Sequence, residues 1–309
     1  MKVLVTGGAG FIGSHVADQL IKAGHSVCVV DNLSTGRSSN LNPNVRFYQV
    51  DIRSPEMRDV LAAEHPEVIT HHAAQMDVRR SMVDPVFDAD VNILGAIRLA
   101  NLAHEFGVRK FIHISSGGAA YGAPVHLPCK EDDPVQPLSF YGASKYTFEL
   151  YLYIYKQSFG LDYSVLRYPN VYGPRQDPHG EAGVVAIFAG RMLTGQPVTI
   201  NGNGEQVRDF VYVEDCARAN LLVLVEGSGR VYNLGNGAGS TINEIFTELK
   251  NITGYTQEPA YGPAKAGETF RIFLDASRAK EELGWRPTVA LKAGLSKTVE
   301  YFQEAELKS

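Results

Sequence analysis

A glycine-rich turn, Thr6-Gly7-Gly8-Ala9-Gly10-Phe11-Ile12-Gly13, decides the fold of this chain. It follows an apolar run and opens a segment of helical character, and its glycines fit the pattern G-x-G-x-x-G. In that setting backbone amides and a helix N-terminus face a pyrophosphate, and the missing β-carbons allow close approach. The sequence therefore predicts a dinucleotide-binding turn, whose contact residues are Gly7, Gly10, Phe11, Ile12 and Gly13.

Short apolar runs alternate with longer helical segments through the first half of the chain. This alternation is typical of βαβ units, and strands that are apolar throughout indicate a parallel sheet covered on both faces. We predict an α/β fold with a Rossmann-type doubly wound parallel sheet. The predicted strands are Lys2–Thr6, Ser26–Val30, Val45–Val50, Val68–His72, Lys110–Ser115 and Tyr163–Tyr168, and the predicted helices are Ile12–Ala23, Pro55–Glu64, Val86–Phe106 and Tyr141–Phe159.

A carboxylate closes the second predicted strand, 18 residues after Gly13. Asp31 at this position accepts hydrogen bonds from both ribose hydroxyls of NAD and repels the 2′-phosphate of NADP. Arg37 follows nearby as a cation that would soften this preference, but an acid at such a strand end usually decides it. NAD is therefore the expected cofactor.

Beyond about residue 168 the rhythm breaks into loops rich in glycine and proline. Further helices are expected at Gly183–Thr194, Val213–Glu226 and Thr241–Thr253. We predict an NAD-binding Rossmann domain over residues 1–168, to whose sheet later segments return. Residues 169–309 are expected to form mainly a smaller α/β lobe that binds the substrate.

A tyrosine and a lysine one helical turn apart are the proposed proton-transfer pair. Tyr141 and Lys145 share one helix face, and an ammonium near a phenol is expected to pull its pKa from about 10 toward neutrality. The phenolate would then act as base and afterwards as acid. Two serines end the predicted strand before this helix, at the carboxyl edge where doubly wound sheets bind ligands. Ser116 is the first choice for the hydrogen bond to the reacting oxygen, and Ser115 the second.

Composition excludes several classes of protein. The 309 residues are 44% hydrophobic and 20% charged, and the net charge of −5 comes without a basic run, which argues against nucleic-acid binding. Three scattered cysteines fit neither a disulfide framework nor a zinc site, and no metal is expected. The first residues enter a strand without a signal segment, and no apolar stretch is long enough to span a membrane. A cytoplasmic protein is expected.

With these motifs in place, the sequence resembles the extended short-chain dehydrogenase/reductase family, and within it the nucleotide-sugar epimerases, along the whole chain. The resemblance rests on the glycine turn and on blocks such as Ser115–Gly122, Arg167–Arg175 and Val207–Val213. It implies an NAD site in which Asp31, Asn32, Ser34, Thr35 and Gly36 hold the adenosine ribose and Asp51 and Ile52 flank the adenine. Around the nicotinamide it implies Ala73, Ala74, Gln75, Asn92, Tyr141, Lys145 and Tyr168.

The same resemblance implies a substrate site drawn mostly from the second half. Arg208 would bind the diphosphate, which suits its forked donors. Where the family usually has arginine and aspartate before the last strand, this chain has Lys265 and Glu268. The implied substrate-binding residues are Ser116, Tyr141, Asn170, Val184, Val185, Thr199, Asn201, Arg208, Lys265 and Glu268.

The activity implied is inversion of C4 of a UDP-hexose, UDP-glucose or UDP-galactose, through a transient 4-keto intermediate. Epimerases of UDP-N-acetylglucosamine or UDP-glucuronate remain alternatives, because Ile272 stands where the family gates substrate size and is smaller than tyrosine. A 4,6-dehydratase would need a carboxyl pair, and residues 117–120 are all glycine or alanine. A non-catalytic NAD-binding sensor would typically have lost the tyrosine or the lysine.

The helices predicted at Val86–Phe106 and Tyr141–Phe159 carry apolar or aromatic side chains on more than one face. One face covers the sheet, and the other needs cover of its own. The family arrangement implies a homodimer in which these helices form a four-helix bundle. Burial of the second face under the C-terminal lobe is the alternative. The residues concerned are Leu94, Leu99, Leu102, Phe148, Tyr151, Tyr153 and Tyr155.

Overall fold

Strands and helices alternate from the first residues onward in the computed structural model, which describes residues 1–178, 183–264 and 269–306. The strands are β1 (Lys2–Thr6), β2 (Ser26–Val30), β3 (Arg46–Tyr48), β4 (Val68–His71), β5 (Lys110–Ser116), β6 (Asp162–Tyr168), β7 (Asn170–Tyr172), β8 (Thr199–Asn201), β9 (Val207–Arg208), β10 (Phe210–Tyr212), β11 (Arg230–Asn233), β12 (Ser240–Thr241), β13 (Ala260–Gly262) and β14 (Arg271–Ile272).

The helices flank these strands along the whole chain. They are α1 (Phe11–Lys22), α2 (Met57–Glu64), α3 (Val78–Val83), α4 (Pro85–Ala89), α5 (Ala96–Glu105), α6 (Gly117–Ala120), α7 (Phe140–Phe159), α8 (Val184–Leu193), α9 (Val213–Leu222), α10 (Ile242–Thr253), α11 (Ser277–Leu283) and α12 (Leu291–Glu306). A 3-10 turn spans Ser38–Asn40, and a π-helical turn, Asp90–Gly95, joins α4 to α5.

Seven strands form the central sheet in the order β3-β2-β1-β4-β5-β6-β11. Every neighbouring pair is parallel. The chain runs outward from β1 to one edge and then restarts at β4 toward the other edge. The predicted doubly wound Rossmann-type sheet is confirmed. Ligands bind such sheets beyond the carboxyl ends of the strands at this point of reversal.

Alternate residues of each strand enter separate cores on the two faces of the sheet. On one face Val3 and Val5 pack with α1, α9 and the buried ring of Trp285. On the other, Leu4 packs with α2, α5 and α7. A third core joins α8, α10 and α12 beside the sheet. Burying a Val or Leu side chain contributes about 1.5–3 kcal/mol, so these cores hold the strand ends in place.

One segment predicted as a single helix is interrupted in the structure. The segment predicted as a single helix over Val86–Phe106 consists of α4, the π-helical turn and α5. Asp84 caps α4 by accepting the N–H of Phe87 at 3.0 Å, so the helix also begins earlier. The π-helical turn carries Asn92, one of the predicted cofactor residues, and such turns often occur at functional sites.

Candidate active site

The glycine turn packs so closely against β2 and the end of β4 that side chains are excluded. Gly7 donates its N–H to the carbonyl oxygen of Val30 at 2.7 Å and has a φ of +67°. A β-carbon on Gly7 would lie 2.6 Å from the backbone nitrogen of Ala73, and one on Gly13 would lie 2.2 Å from the carbonyl oxygen of Gly7. Gly10 supplies no side-chain cap to α1. The first amides of α1 can therefore bind an anion, which suits a pyrophosphate.

Asp31 lies over the glycine turn with 8% of its surface exposed. Its carboxylate accepts the N–H of Ala9 at 3.0 Å and that of Leu33 at 2.8 Å, which fixes its orientation. Burial raises its pKa above the ordinary value. Arg37, the cation that could weaken the preference for NAD, instead pairs with Asp177 at 3.1 Å. Arg37 is therefore not an ion-pair partner of the Asp31 carboxylate.

The residues expected around the adenosine cluster beside Asp31. Asn32 donates to the Asp51 carboxylate at 2.9 Å. Arg53 grips the same carboxylate through its Nε at 2.9 Å and one terminal nitrogen at 2.8 Å, and holds the pKa of Asp51 far below its usual range. Ile52 is buried. The remaining loop residues expected at the ribose are Ser34 and Thr35, which are exposed, and Gly36, where a β-carbon would lie 2.8 Å from the Asp31 carboxylate.

Gln75 and Asn92 form a reciprocal pair at the end of β4. Asn92 accepts the backbone N–H of Gln75 and donates to its carbonyl oxygen, both at 2.9 Å. Asn92 also donates to Ser144 of α7 at 3.2 Å. Ala73, which precedes Ala74 in the same segment, donates its N–H to the hydroxyl of Thr6 at 3.3 Å. These contacts bring the predicted nicotinamide-side residues to the carboxyl ends of β1 and β4.

The two serines that end β5 have different partners. Ser116 shares a hydrogen bond with the phenol of Tyr141. Ser115 is buried and donates to the carboxylate of Glu149 at 2.6 Å. Both partners belong to α7, where Tyr141 and Glu149 are eight residues apart. Ser116, the first choice from the sequence, is the serine next to Tyr141.

The expected effect of Lys145 on Tyr141 is wrong for this structure. Burial raises the pKa of Tyr141 to about 12, the Asp88 charge adds to the rise, and the Ser116 hydrogen bond opposes it. Burial also lowers the pKa of Lys145 to about 8, against the opposite effect of Asp88 and Glu149. Helical spacing predicts the two residues on one face, but burial is the largest cause of the pKa shift of each.

Three imidazoles line the buried side of Lys145. Burial lowers the pKa of His72 to about 3 and that of His71 and His113 well below the ordinary value, and the Lys145 charge acts in the same direction. His113 donates from Nε2 to the carbonyl oxygen of Lys145 at 3.2 Å. These histidines are therefore neutral core residues around the lysine.

Asn170 lies across a glycine from Ser116, the predicted catalytic serine. A β-carbon on Gly118 would lie 3.8 Å from the Asn170 side-chain oxygen and 3.9 Å from the Ser116 hydroxyl. Gly118 thus lies on the wall shared by a predicted substrate residue and a predicted catalytic residue. Gly117, the residue before it, packs on Leu274, where a β-carbon would lie 2.4 Å from a methyl group.

Arg208 of β9 is a buried cation, 9% exposed. It donates to the carbonyl oxygens of Val207 at 2.9 Å and Phe270 at 3.3 Å. The neighbouring Asp209 carboxylate accepts the backbone N–H groups of Asn236 and Leu274, both at 3.0 Å, and burial raises its pKa to about 6. Arg208 and Asp209 are thus part of the protein interior.

Several predicted site residues are placed differently from the expectation. The side chains of Val185 and Tyr168 are buried in the cores, and Tyr168 bonds to Asn220, so only their backbones can face a ligand. Thr199 is exposed on β8, whereas Val184 and Asn201 are partly buried. Lys265 and Glu268 lie outside the described residues.

Sequence reasoning missed three buried charged residues behind the catalytic pair. Glu149 is four residues beyond Lys145, so the helical spacing that linked Tyr141 to Lys145 also identifies it. Arg167 of β6 pairs with Glu149 at 2.7 Å. Asp88, four residues before Asn92, accepts from Gln75 at 2.8 Å. Polar residues recurring at helical spacing within apolar segments were the available signal.

In residues 1–178, 183–264 and 269–306, no group of three His, Cys, Asp or Glu side chains is arranged to hold a metal ion. Across the same ranges, no helix combines the length and the apolar character that crossing a bilayer requires.

Known proteins resemble this chain along its whole length. It is 46% identical over 309 residues to the UDP-glucose 4-epimerase of Mycolicibacterium smegmatis, covering 98% of this chain and 99% of the relative. The UDP-glucose 4-epimerase of Thermotoga maritima, solved with UDP-glucose, is 51% identical with a TM-score of 0.97, covering 99% of this chain and 100% of that one. That of Thermus thermophilus, solved with NAD, is 44% identical with a TM-score of 0.94 and the same coverage.

A family profile agrees with these likenesses and with the glycine turn and Ser-Tyr-Lys geometry. The profile of the NAD dependent epimerase/dehydratase family matches residues 3–235, which contain the whole central sheet apart from Lys2 at the start of β1. This chain belongs to the NAD dependent epimerase/dehydratase family.

Proposed function

We propose that this protein is an NAD-dependent epimerase that inverts C4 of a UDP-hexose, interconverting UDP-glucose and UDP-galactose. The observation that carries the proposal is the hydrogen bond between Ser116 and Tyr141, one helical turn from the buried Lys145. This group lies at the carboxyl edge of the sheet, where the glycine turn also opens. The names of the full-length relatives point to the same reaction.

The residues present fit NAD. The glycine turn offers helix amides in a cradle that a β-carbon on Gly7 would fill, and the fixed Asp31 carboxylate can accept two ribose hydroxyls. Asn32 and Asp51 stand beside it for the adenosine, and Gln75 for the nicotinamide side. When bound, NAD supplies reversible hydride transfer at a carbon that bears a hydroxyl.

Tyr141 moves the proton in this proposal. It takes the proton from the sugar O4 as C4 is oxidised to a ketone, and returns it when C4 is reduced from the opposite face. Ser116 donates a hydrogen bond to the same sugar oxygen, and Lys145 supplies a buried positive charge one helical turn away. Asn170 and Arg208 hold the nucleotide-sugar diphosphate while the sugar turns. The reaction inverts C4 without net oxidation.

The segment after Ser116 contains no acid or base that could catalyse the elimination of water. Helix α6, Gly117–Ala120, carries no carboxyl group, and a 4,6-dehydratase needs an acid and a base there. For the other 4-epimerases the discriminating position is Ile272, whose side chain is 2% exposed and packs with Tyr121, Cys129 and Leu274.

The test is a panel of UDP-sugars assayed for C4 inversion by proton NMR. We expect UDP-galactose and UDP-glucose to interconvert to one equilibrium ratio from either side. Tyr141→Phe should lose activity by at least about 10³-fold while NAD binding, measured by calorimetry, is retained. Tyr146→Phe, which removes a phenol from the same helix, is the control and should stay active. Conversion only of UDP-N-acetylglucosamine or UDP-glucuronate would select those alternatives.

We further propose that two copies pair through α4, α5 and α7. Of the residues expected on this face, Leu99, Phe148 and Tyr155 are buried inward instead, but Leu94, Tyr151 and Tyr153 are 39–57% exposed. Further exposed apolar side chains on these helices and on α3 are Met82, Val83, Val86, Leu150, Ile154 and Phe159. An apolar face of this extent is typical of an interface. Light scattering should give a dimer mass, and Ile154→Glu should give a monomer.

A reducing cytoplasm is the proposed location. Cys28, Cys129 and Cys216 are free thiols, and all are buried. Burial raises the pKa of Cys28 and Cys129 to about 12, so these thiols have little tendency to ionise and react. Fractionation of the native host with antibody detection tests this location.

A further inference from the structure

Asp88 of α4 is a buried carboxylate beside the catalytic pair, with 1% of its surface exposed. One of its oxygens accepts from the side-chain amides of Gln75 at 2.8 Å and Asn92 at 3.2 Å. Asn92 continues the contact to Ser144, whose hydroxyl donates to the carbonyl oxygen of Tyr141 at 3.0 Å. This one oxygen of the carboxylate therefore orients Gln75 and Asn92 on the predicted nicotinamide side. Through Asn92 and Ser144 it also orients the first turn of α7.

The other oxygen of Asp88 is buried and has no hydrogen-bond partner. A buried anion costs several kcal/mol unless a cation or donors compensate it. Its charge raises the pKa of both Lys145 and Tyr141. Lys145, only 4% exposed, is thus a buried cation on which the charge of this carboxylate acts.

Glu149, the other carboxylate that acts on Lys145, already has a partner. Arg167 holds Glu149 with two nitrogens, at 3.1 and 2.7 Å, and Ser115 donates to it at 2.6 Å. Its charge is therefore largely satisfied on the side away from the site. Asp88, by contrast, keeps one oxygen without a hydrogen-bond partner, and its charge also acts on Lys145.

We propose that Asp88 is the electrostatic positioning residue of the proton-transfer pair: its carboxylate keeps the buried Lys145 protonated and opposes premature ionisation of Tyr141. This inference rests on the proposed proton transfer at Tyr141. Asp88 touches neither the reacting oxygen nor the phenol, and acts through the lysine and through Asn92.

Charged and titratable groups face this pair from every side. From β4 and β5 come neutral imidazoles, from α7 the pair itself and the Arg167-bound Glu149, and from the π-helical turn Asp90, which pairs with Arg53 at 2.9 Å. Asp77 caps α3 through the N–H of Arg80. These groups are His71, His72, His113, Tyr141, Lys145, Glu149, Arg167, Asp77, Arg80, Asp88, Asp90 and Arg53.

The first test is the pH profile of kcat/KM in Asp88→Asn. Asparagine keeps an acceptor for Gln75 and Asn92 but removes the charge, so both pKa values should fall. Both limbs of the bell-shaped profile should then move to lower pH by roughly one unit. Asp84→Asn removes the same charge from the exposed N-cap of α4, where asparagine also caps, and should leave both limbs in place. If the two limbs of the Asp88→Asn pH profile lie at the same pH as those of the wild type, the proposal is overturned, whatever the maximum rate.

The second test measures melting temperature and needs no activity. Lys145→Met leaves Asp88 as a lone buried charge, so adding Asp88→Asn should raise the melting temperature above that of Lys145→Met alone. Adding Asp84→Asn instead should not. A double variant that melts below the single variant would contradict the coupling, and this comparison decides the matter even if Asp88→Asn alone is not recovered folded. Absence of epimerase activity in the wild type would refute the proposed function but leave this melting comparison valid.

Discussion

Ser115 donates its hydroxyl proton to the carboxylate of Glu149 at 2.6 Å, whereas Ser116 bonds to the phenol of Tyr141, eight residues earlier on the same helix. Two adjacent serines therefore have separable duties. Ser115 satisfies a buried charge, and Ser116 faces the phenol.

Replacing each serine by alanine should separate stability from activity. Ser116→Ala should lower kcat/KM by about 10²-fold and leave the melting temperature near wild type, because a partly buried hydroxyl bonded to the phenol is lost. Removing that bond also raises the pKa of Tyr141, so the acid limb of the pH profile should move to higher pH. Ser115→Ala should cost about 1–3 kcal/mol in unfolding free energy, because the buried Glu149 loses a donor. Equal activity losses in the two variants would contradict this division.

Asp31→Asn should weaken the preference for NAD over NADP. Removal of the charge ends the repulsion of a 2′-phosphate and weakens the bonds to the ribose hydroxyls. We expect the ratio of the two dissociation constants, from calorimetric titration, to fall by about tenfold or more. Asp59→Asn, an equal charge change on the exposed side of α2, should keep the wild-type ratio. An unchanged ratio in Asp31→Asn would mean that other groups select the cofactor.

Gly7→Ala and Gly24→Ala form a matched pair for the glycine turn. Both glycines have positive φ, +67° and +83°, but a β-carbon on Gly24 meets nothing within 4 Å, whereas one on Gly7 would lie 2.6 Å from Ala73. Gly24→Ala should cost about 1–2 kcal/mol from backbone strain alone. Gly7→Ala should cost clearly more in a denaturant titration and also lose NAD binding. Similar losses of unfolding free energy in the two variants, with NAD binding retained, would contradict the importance of the close approach between Gly7 and Ala73.

The buried histidines should make the protein sensitive to mild acid. His71, His72 and His113 have native pKa values below the unfolded value near 6.5, so below that pH the unfolded chain takes up protons that the native state refuses. Each should remove up to about 1.4 kcal/mol of stability per pH unit as the pH falls from 6.5 toward 5. Denaturant titrations at several pH values measure this slope, and His113→Gln should reduce it. A stability that is flat from pH 7 to 5 would rule the effect out.

The strands of the first half could be predicted because their residues are apolar on both faces. Lys2–Thr6 and Ser26–Val30 have the bounds expected, and each is buried from its second residue onward. The helix over Val86–Phe106 could not be predicted correctly, since apolar spacing continues through the π-helical turn while the interruption depends on Asn92 and its distant partners Gln75 and Ser144.

The positions of site residues that depend on the backbone could be predicted more readily than the pKa values and orientations of the side chains. The glycine turn, Asp31 and the Ser116–Tyr141 pair follow from motif and strand order. The pKa of Tyr141 does not, because it depends on burial and on Asp88, which lies 53 residues away in sequence. The inward side chain of Val185 likewise reflects packing in the third core, which helical spacing alone did not reveal.

Strand β11 joins the sheet edge beside β6 from more than sixty residues downstream, and Trp285, the single tryptophan, closes the core over β1 and α1. A growing polypeptide released by the ribosome before these segments emerge would leave the β6 edge unpaired and one side of the sheet uncovered. The indole of Trp285 donates to the carbonyl oxygen of Asp215 at 2.8 Å and is wholly shielded from water. Its fluorescence therefore reports the moment when the carboxyl-terminal portion docks and folding is complete.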